Sequence, residues 1–336
     1  MSNALNESKP NASRAKGMNG KSYIYQRQIL WGRDLKLIHL SKDKERPGYT
    51  QSVNENLFQP LSDRARKQFK DGDGKELGTK SEPGKMQALH SSSALGCNVF
   101  DYWQSLADLG DTTGIKPIVD ACGLPNSENA DRIFFEKKRP VVTRNWKEFR
   151  NPPNLDVVIK YRRSVADIVE VGIECKFSEA YSGGHSGLKC VYLGPDELKA
   201  ELKAELKEVW EGLSKTKELA KTISPDDRHK RFKYLHAAQL IKHILGLKRK
   251  ILGRKHRSGR EQPHLLYLWY KVPGKAGTRH QEDIKEFQES IDGDRIWFRA
   301  ISYQDVIGSL KTGCRGRHQA YVDYLTERYL CRHAPA

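Results

Sequence analysis

The apolar positions of the chain recur every three to four residues in several stretches, and this spacing predicts amphipathic helices. In residues 87–109 the recurring positions are Leu, Val, Phe and Trp, so we expect a core helix there. Residues 196–222 instead repeat Glu-Leu-Lys, which places Glu before Lys at helical spacing and favours a solvated helix. The predicted helices cover residues 60–69, 87–109, 196–222, 228–247 and 319–329.

Short runs rich in β-branched and aromatic residues, bounded by Pro, Gly and polar clusters, predict strands. They fall at residues 132–136, 140–143, 155–161, 167–177, 264–272 and 295–301. The polar stretch after the third run is short enough for a hairpin. Because strands and helices interleave, we expect an α/β (α+β) fold in which helices flank a central mixed β-sheet.

The N-terminal part of the chain is polar and mostly lacks this periodicity. Residues 1–21 are rich in Asn, Ser, Lys and Gly, and predict a disordered leader rather than a signal peptide. Residues 22–85 form an irregular accessory region, and residues 86–336 hold the main domain. No apolar run approaches the roughly 20 residues that cross a bilayer. The six cysteines form no Cys-x-x-Cys pair, so we expect reduced thiols and a cytoplasmic protein.

The net charge of +17 and the pI near 9.5 favour a polyanionic partner, and nucleic acid is the commonest one. The densest basic run lies at residues 248–260, directly after a predicted helix. A solvated charge run is the alternative. Near a phosphodiester site, however, such side chains contact phosphates and position a duplex. The candidate contacts are Lys248, Arg249, Lys250, Arg254, Lys255, Arg257 and Arg260.

Two acidic residues, Asp156 and Glu174, lie inside strongly apolar predicted strands. A carboxylate in such a place is costly unless it is paired or binds a cation. Two carboxylates with a backbone carbonyl and waters make a typical Mg²⁺ site. Strand periodicity places Lys176 on the same face as Glu174, and Cys175 on the opposite face. The Lys176 ammonium is then positioned to orient an attacking water and to offset charge on a phosphorus atom.

Asp156 and the segment Ile-Glu-Cys-Lys-Phe at 173–177 resemble the core motif of the PD-(D/E)xK nuclease superfamily, whose members share the restriction-endonuclease-like fold. The serine-rich segment 91–100 and the closing segment 324–329 resemble a group of bacterial restriction-endonuclease-like proteins. The similarity runs in order from about residue 89 to residue 329. The Pro of the family's Pro-Asp pair is replaced here by Leu.

The resemblance implies a Mg²⁺ ion, replaceable by Mn²⁺, held by Asp156 and Glu174, with Lys176 as the catalytic lysine. We expect the Cys175 carbonyl to add a further metal ligand. The family often has another acid before the Asp, and Glu136 is the matching position. Because Glu136 adjoins three basic residues, a surface ion pair is the alternative.

The resemblance also implies a polar residue on the helix that follows the third strand. Gln239 and His243 stand one helical turn apart, so both side chains can face the site. We take Gln239 as the candidate. The alternative is that both are polar positions beside the apolar stripe of the helix.

These residues favour a Mg²⁺-dependent nuclease that hydrolyses DNA phosphodiester bonds, namely a restriction or defence-type endonuclease acting on duplex DNA. The main domain, residues 86–336, would be the nuclease domain. A homodimer is compatible with this function, because cutting both strands of a palindrome favours two-fold symmetry. Two alternatives stay open: a nucleic-acid-binding protein with an inactive nuclease-like fold, and an interaction protein whose Glu/Lys-rich helix mediates assembly.

Overall fold

The computed structural model describes residues 19–35, 48–72, 74–79, 82–111, 113–144, 146–162, 168–183, 185–223, 231–254, 259–314 and 316–330. Within these ranges the helices are α1 (Gly20–Asp34), α2 (Asp63–Asp71), α3 (Ser92–Asp108), α4 (Lys116–Ala121), α5 (Ala200–Trp210), α6 (Ser214–Thr222), α7 (Ala237–Leu252), α8 (Gly274–Ser290), α9 (Tyr303–Gly313) and α10 (Gln319–Leu325), which runs into a π-helical turn at Thr326–Leu330. The strands are β1 (Ala130–Lys138), β2 (Asn154–Tyr161), β3 (Glu170–Lys176), β4 (His264–Trp269) and β5 (Trp297–Ser302).

The described strands form one mixed sheet in the order β1-β2-β3-β4-β5. β1, β2 and β3 pair antiparallel, whereas β3, β4 and β5 pair parallel. The connection from β3 to β4 contains α5, α6 and α7, and the connection from β4 to β5 contains α8. The predicted fold class, helices around a central mixed sheet, is therefore confirmed.

Alternate residues of the strands fill two separate cores on the two faces of the sheet. Val157 and Ile173 belong to the core that α3 and α9 cover, together with the buried ring of Phe100. Val158 and Tyr267 belong to the core beneath α5 to α8. This alternation follows from the two-residue period of a strand, and it separates the polar side chains of β3 from its apolar ones.

Close backbone approach lets α7 lie over the sheet next to β1 and β3. A Cβ added to Gly246 would lie 2.4 Å from the Arg139 carbonyl oxygen, so only glycine fits there. The Arg139 guanidinium also forms a two-point ion pair with buried Glu170 of β3, at 2.5 and 2.7 Å. The approach at Gly246 fixes α7 against residue 139, which the ion pair ties to β3, and so positions His243 one turn before Gly246.

The edge strand β1 is closed by side chains from the helices beside it. The Ile133 N–H donates to Gln104 Oε1 and the Phe135 N–H donates to Gln68 Oε1, both at 2.6 Å. Unpaired edge groups are a template for another strand. Here the glutamine amides of α2 and α3 occupy those positions.

The N-terminal and C-terminal parts of the described chain meet at the buried side chain of Arg328, which is 1% exposed. Its guanidinium donates to the Asn56 carbonyl at 2.8 Å, to Gln28 Oε1 at 3.0 Å and to the Leu89 carbonyl at 3.2 Å. It also lies 4.1 Å from the centroid of the Trp31 ring. One cation therefore holds α1 and residue 56 against the rest of the fold.

Several predicted elements are confirmed. Residues 87–109 contain α3, which begins after Ser91, whose Oγ accepts from the Ala94 N–H at 3.2 Å. α2 overlaps the predicted range 60–69 and ends two residues beyond it, and α10 lies within the predicted range 319–329. Four of the predicted strands correspond to β2 to β5, and the first lies within β1.

Other predicted elements are wrong. The single helix at 196–222 is broken at Gly212, whose φ of +73° turns the chain between α5 and α6. Residues 140–143 form no strand, because Val141 and Val142 fill the second core from a bend. The helix predicted from residue 228 begins at Ala237 instead, since the Asp283 carboxylate accepts from the backbone N–H groups that precede it.

The N-terminal part is less irregular than predicted. The leader predicted at residues 1–21 lies outside the described residues up to residue 18, and residues 20–21 already belong to α1. Ile24 of α1 and Phe69 of α2 are buried in the first core. The short helix α4 and the helices α8 and α9 were not predicted from the sequence either.

Candidate nuclease active site

Asp156 and Glu174 face each other across the β2–β3 pair. The register pairs Val157 with Ile173, which puts Asp156 opposite Glu174 at the next position. Beyond this point the ladder gives way to a side-chain contact, because the Cys175 N–H donates to Asp156 Oδ2 at 2.7 Å. The two carboxylates predicted from strand alternation therefore lie at one point of the sheet.

Glu174 is fully buried, and each of its carboxylate oxygens lies against a basic group. Lys176 Nζ is 2.6 Å from Oε1, and His243 Nε2 is 2.8 Å from Oε2. Burial by itself would raise the pKa of Glu174, but the charges of Lys176 and His243 lower it to about 2. Glu174 is thus a carboxylate at any physiological pH, and α7 fixes its orientation through His243.

Lys176 keeps its proton in this environment. Burial would lower its pKa, but the carboxylates of Glu174, Glu179 and Asp156 raise it above the usual value. A lysine in this state acts as a fixed cation and not as a base. This is the charge that the predicted role, orienting water and offsetting charge on phosphorus, requires.

The other carboxylates around the site have raised pKa values. Burial, with the Glu174 charge second, raises the pKa of Asp156. Burial also raises the pKa values of Glu76 and Glu179. For Glu136, burial and the charge of Glu76 raise the pKa to about 7. Negative charge is therefore in excess here, and a bound cation would relieve it.

Glu136 occupies an unusual backbone position in β1. The β1–β2 register places it opposite Asp156, between the pairs Phe135–Val157 and Lys137–Leu155. Its φ is +52°, a left-handed conformation that non-glycine residues rarely adopt. Its carboxylate accepts a hydrogen bond from the Asn154 side-chain amide. Such strain is frequent at functional sites, and the geometry brings Glu136 to the other predicted acids rather than to a surface ion pair.

The backbone of Cys175 faces Asp156, and its side chain lies on the opposite face. Cys175 is buried in the first core with Ile173 and Phe177, as strand alternation predicts. The carbonyl of Lys176 accepts from the Tyr270 N–H on the β4 side of the strand. Because successive residues of a strand direct their N–H and C=O groups to opposite sides, the Cys175 carbonyl is directed to the β2 side, where Asp156 lies.

On α7, His243 makes the contact with Glu174, whereas Gln239 lies one turn earlier and is partly exposed. Within the part of the chain that the structure describes, the Gln239 side chain forms no hydrogen bond. Sequence reasoning considered His243 but preferred Gln239, and it missed Glu76 entirely. Helical spacing identified the correct face of α7, but it could not select one of two positions on that face.

The predicted basic run contains residues in different environments. Lys248 and Arg249 are each 9% exposed, and Arg249 donates to the Val141 carbonyl at 3.1 Å and to Glu208 Oε2 at 3.0 Å. Arg254 lies 3.5 Å from Glu261 Oε1. Lys250 and Arg260 are exposed, and Lys255 and Arg257 lie outside the described residues.

A cavity of about 400 Å³ lies beside the start of α3. Glu76, Glu179 and Lys85 line it, together with residues 91–93 at the start of α3. Two larger cavities, of about 890 and 930 Å³, are lined by other residues and lie away from Asp156 and the Glu-x-Lys tripeptide. The smaller cavity is connected to the candidate site through Glu76 and Glu179, whose charges raise the pKa values of Glu136 and Lys176.

A mixed sheet with an acid on β2 and Glu-x-Lys on the adjacent β3 defines the restriction-endonuclease-like class of nucleases. Within this class, the chain belongs to the family REase-ARP, described as "Restriction Endonuclease associating with ARP", which matches residues 5–330. The resemblance seen in the sequence is confirmed. No curated protein and no solved structure matches the chain.

Two absences concern only the residues that the structure describes. None of their helices has the length and apolar character needed to cross a membrane. They contain no group of three or more His, Cys, Asp or Glu side chains already arranged to hold a metal ion.

Proposed function

We propose that this protein is a Mg²⁺-dependent endodeoxyribonuclease of restriction or defence type. The observation that carries the proposal is the convergence of Asp156, Glu174 and Lys176 at one point of the sheet, with Lys176 2.6 Å from the carboxylate of Glu174. Family membership supports a nuclease. The net charge of +17 supports a nucleic-acid substrate.

The residues present fit a hard divalent cation. Asp156 Oδ2 is taken by the Cys175 N–H, whereas Oδ1 accepts no hydrogen bond from the described residues. The excess of buried negative charge, seen in the raised pKa values of Asp156 and Glu136, is what a cation would offset. Asp156, Glu174 and the Cys175 carbonyl would hold Mg²⁺ or Mn²⁺, since such ions prefer oxygen ligands and keep some water. When bound, the ion would polarise a phosphoryl oxygen and acidify a water molecule.

Three side chains of the protein would position the water, the substrate and the metal ligands. Lys176, protonated throughout, would hold the attacking water in line and stabilise charge on the phosphoryl oxygens. His243 holds the Glu174 carboxylate from the other side, so that Glu174 keeps one orientation. Glu136, opposite Asp156 in the β1–β2 register, adds a third carboxyl group to the site.

The test is cleavage of plasmid DNA in the presence of Mg²⁺. We expect Asp156→Asn and Lys176→Ala each to reduce the cleavage rate by roughly a hundredfold or more, the usual effect of removing a group that stabilises developing charge. Asp292→Asn is the matched control, because Asp292 is an exposed carboxylate away from the site. Cleavage by Lys176→Ala at the parent rate would refute the assignment.

A second candidate is a DNA-binding protein whose nuclease site does not cleave. The observation that favours it is that both oxygens of Glu174 already lie within ion-pair distance of basic groups, Lys176 at 2.6 Å and His243 at 2.8 Å. Calorimetric titration with Mg²⁺ and with Mn²⁺ separates the two candidates. Metal binding that Asp156→Asn abolishes supports the nuclease, and absence of metal binding at millimolar concentration supports the binding protein.

A further inference from the structure

The outer strands β1 and β2 present a basic surface on the same sheet face as Glu174 and Lys176. Phe134 of β1 packs at the margin of the second core, which lies on the α7 face, and its ring stays partly exposed. Lys160 of β2 follows Val158, a residue of that core, at the two-residue spacing of a strand. Lys137 reaches this face because its ammonium lies 5.0 Å from the centroid of the Phe134 ring.

Three cations lie over the Phe134 ring, and one of them, Arg64, also pairs with Asp108 at 2.9 Å. Lys160 Nζ lies 4.6 Å from its centroid, and the Arg64 guanidinium lies 5.9 Å away. A cation over an aromatic face is attracted by the quadrupole of the ring, which holds a flexible lysine in place. Neither Lys137 nor Lys160 forms an ion pair with the described residues, so both ammonium groups are open to another partner.

The surrounding charges make this arrangement costly without an anion. Burial lowers the pKa of Lys160, the charge of Glu170 raises it, and the neighbouring cations Arg139, Lys250 and Lys137 lower it. Glu170, the nearby carboxylate, is already engaged by Arg139 at 2.5 and 2.7 Å. An anionic partner would remove the mutual repulsion of these lysines.

The position relative to the catalytic residues identifies the partner. Lys160 lies four residues along β2 from Asp156, or about 13 Å at the rise of a strand. This is about four steps of the 3.4 Å rise per nucleotide of a DNA strand. Lys137 lies closer, opposite Leu155 in the register. A strand of DNA whose scissile phosphate lies at Asp156 would therefore place neighbouring phosphates over these lysines.

We propose that Lys137 and Lys160 over the Phe134 ring, together with Lys250, whose charge acts on Lys160, form a basic strip that binds the DNA phosphates beside the scissile bond. The inference rests on the proposed nuclease function and adds to it the path of the substrate. It assigns phosphate binding to β1, β2 and the end of α7, and it uses only Lys250 from the run at residues 248–260.

The test is the salt dependence of DNA binding by the full chain, measured by fluorescence anisotropy with a labelled duplex in EDTA. Each lost phosphate contact lowers the slope of log K against log salt by about 0.9. We expect Lys137→Gln/Lys160→Gln to reduce the slope by about 1.8 and to weaken binding. Lys275→Gln/Lys311→Gln, which removes the same charge from α8 and α9, should keep the parent slope.

A second pair of variants guards against a general loss of structure. Lys137→Arg/Lys160→Arg keeps both charges and should retain the parent slope, and thermal unfolding checks that every variant folds. An unchanged slope in Lys137→Gln/Lys160→Gln would overturn the proposal and leave an acidic protein surface as the partner of the strip. If that variant keeps the parent slope while the parent cleaves plasmid, only the strip fails. If the parent binds no DNA, the proposed function fails with it.

Discussion

Replacing Glu136 measures how much the ionised carboxyl at this position lowers the free energy of unfolding. Burial and the nearby Glu76 raise its pKa from 4.5 to about 7. At 1.36 kcal/mol per pH unit, this difference corresponds to at most about 3 kcal/mol of lost stability when the carboxyl is ionised. The substitution Glu136→Gln removes the ionisable group and keeps an oxygen that can accept the hydrogen bond from Asn154.

The direction of the pH dependence follows from the raised pKa. Between pH 4.5 and 7 the folded protein holds a proton on Glu136 that the unfolded chain has released, so the free energy of unfolding falls as the pH rises through this window. The full cost is present above about pH 7. Glu174, whose pKa is lowered to about 2, has the opposite effect, but its contribution is lost only as the pH falls from 4.5 to 2. The contribution of Glu174 is therefore constant above pH 5, where the change in stability caused by Glu136 is measured.

The assay is urea unfolding in EDTA at pH 5.5 and at pH 8. We expect Glu136→Gln to be more stable than the parent by up to about 3 kcal/mol at pH 8 and by roughly half as much at pH 5.5, because part of the cost is already present one pH unit above the unfolded pKa. Both side chains occupy the same strained backbone position, so strain cancels in the comparison. Glu148→Gln, at an exposed carboxylate, should leave stability unchanged at both pH values. Equal pH dependence in the parent and in Glu136→Gln would refute the reasoning.

Two further substitutions test how the site and the fold are held. His243→Ala leaves the buried Glu174 carboxylate without the group at Oε2, so we expect the free energy of unfolding to fall by roughly 3 kcal/mol. Urea unfolding measures this change. A loss below about 1 kcal/mol would show that His243 does not hold Glu174. Arg328→Lys keeps the charge but loses the planar fork that reaches both the Asn56 and Leu89 carbonyls, and roughly 3 kcal/mol should again be lost. Limited proteolysis should then cleave near the N-terminal helix sooner than in the parent, and an unchanged cleavage pattern would contradict this role.

The convergence of Asp156, Glu174 and Lys176 could be predicted because strand alternation is a local property. Asp156 and Glu174 interrupt apolar runs, and the two-residue period places Lys176 beside Glu174 whatever the rest of the fold does. Strand composition and the alternation of strands with helices were likewise enough to predict the mixed sheet.

The parts that sequence reasoning missed depend on tertiary contacts. The face of α8 that packs on the core includes Gly277, His280 and Asp283. Because these buried residues are not apolar, the sequence shows no regular apolar spacing that would predict the helix. The preference for Gln239 over His243 failed to anticipate the contact with Glu174, because the distance between two elements is not encoded in either of them. Glu76 approaches Glu136 from a segment with no regular pattern of its own.

The glutamine-capped edge of β1 has a consequence for assembly. A second copy of the chain cannot extend the sheet there, because Gln104 and Gln68 already occupy the backbone donors that a neighbouring strand would need. Cutting both strands of a duplex with two copies would require them to meet through another surface, such as their helices or the β5 side. The face of β1 and β2 would then stay open, and the same capping would prevent edge-to-edge aggregation of the free protein.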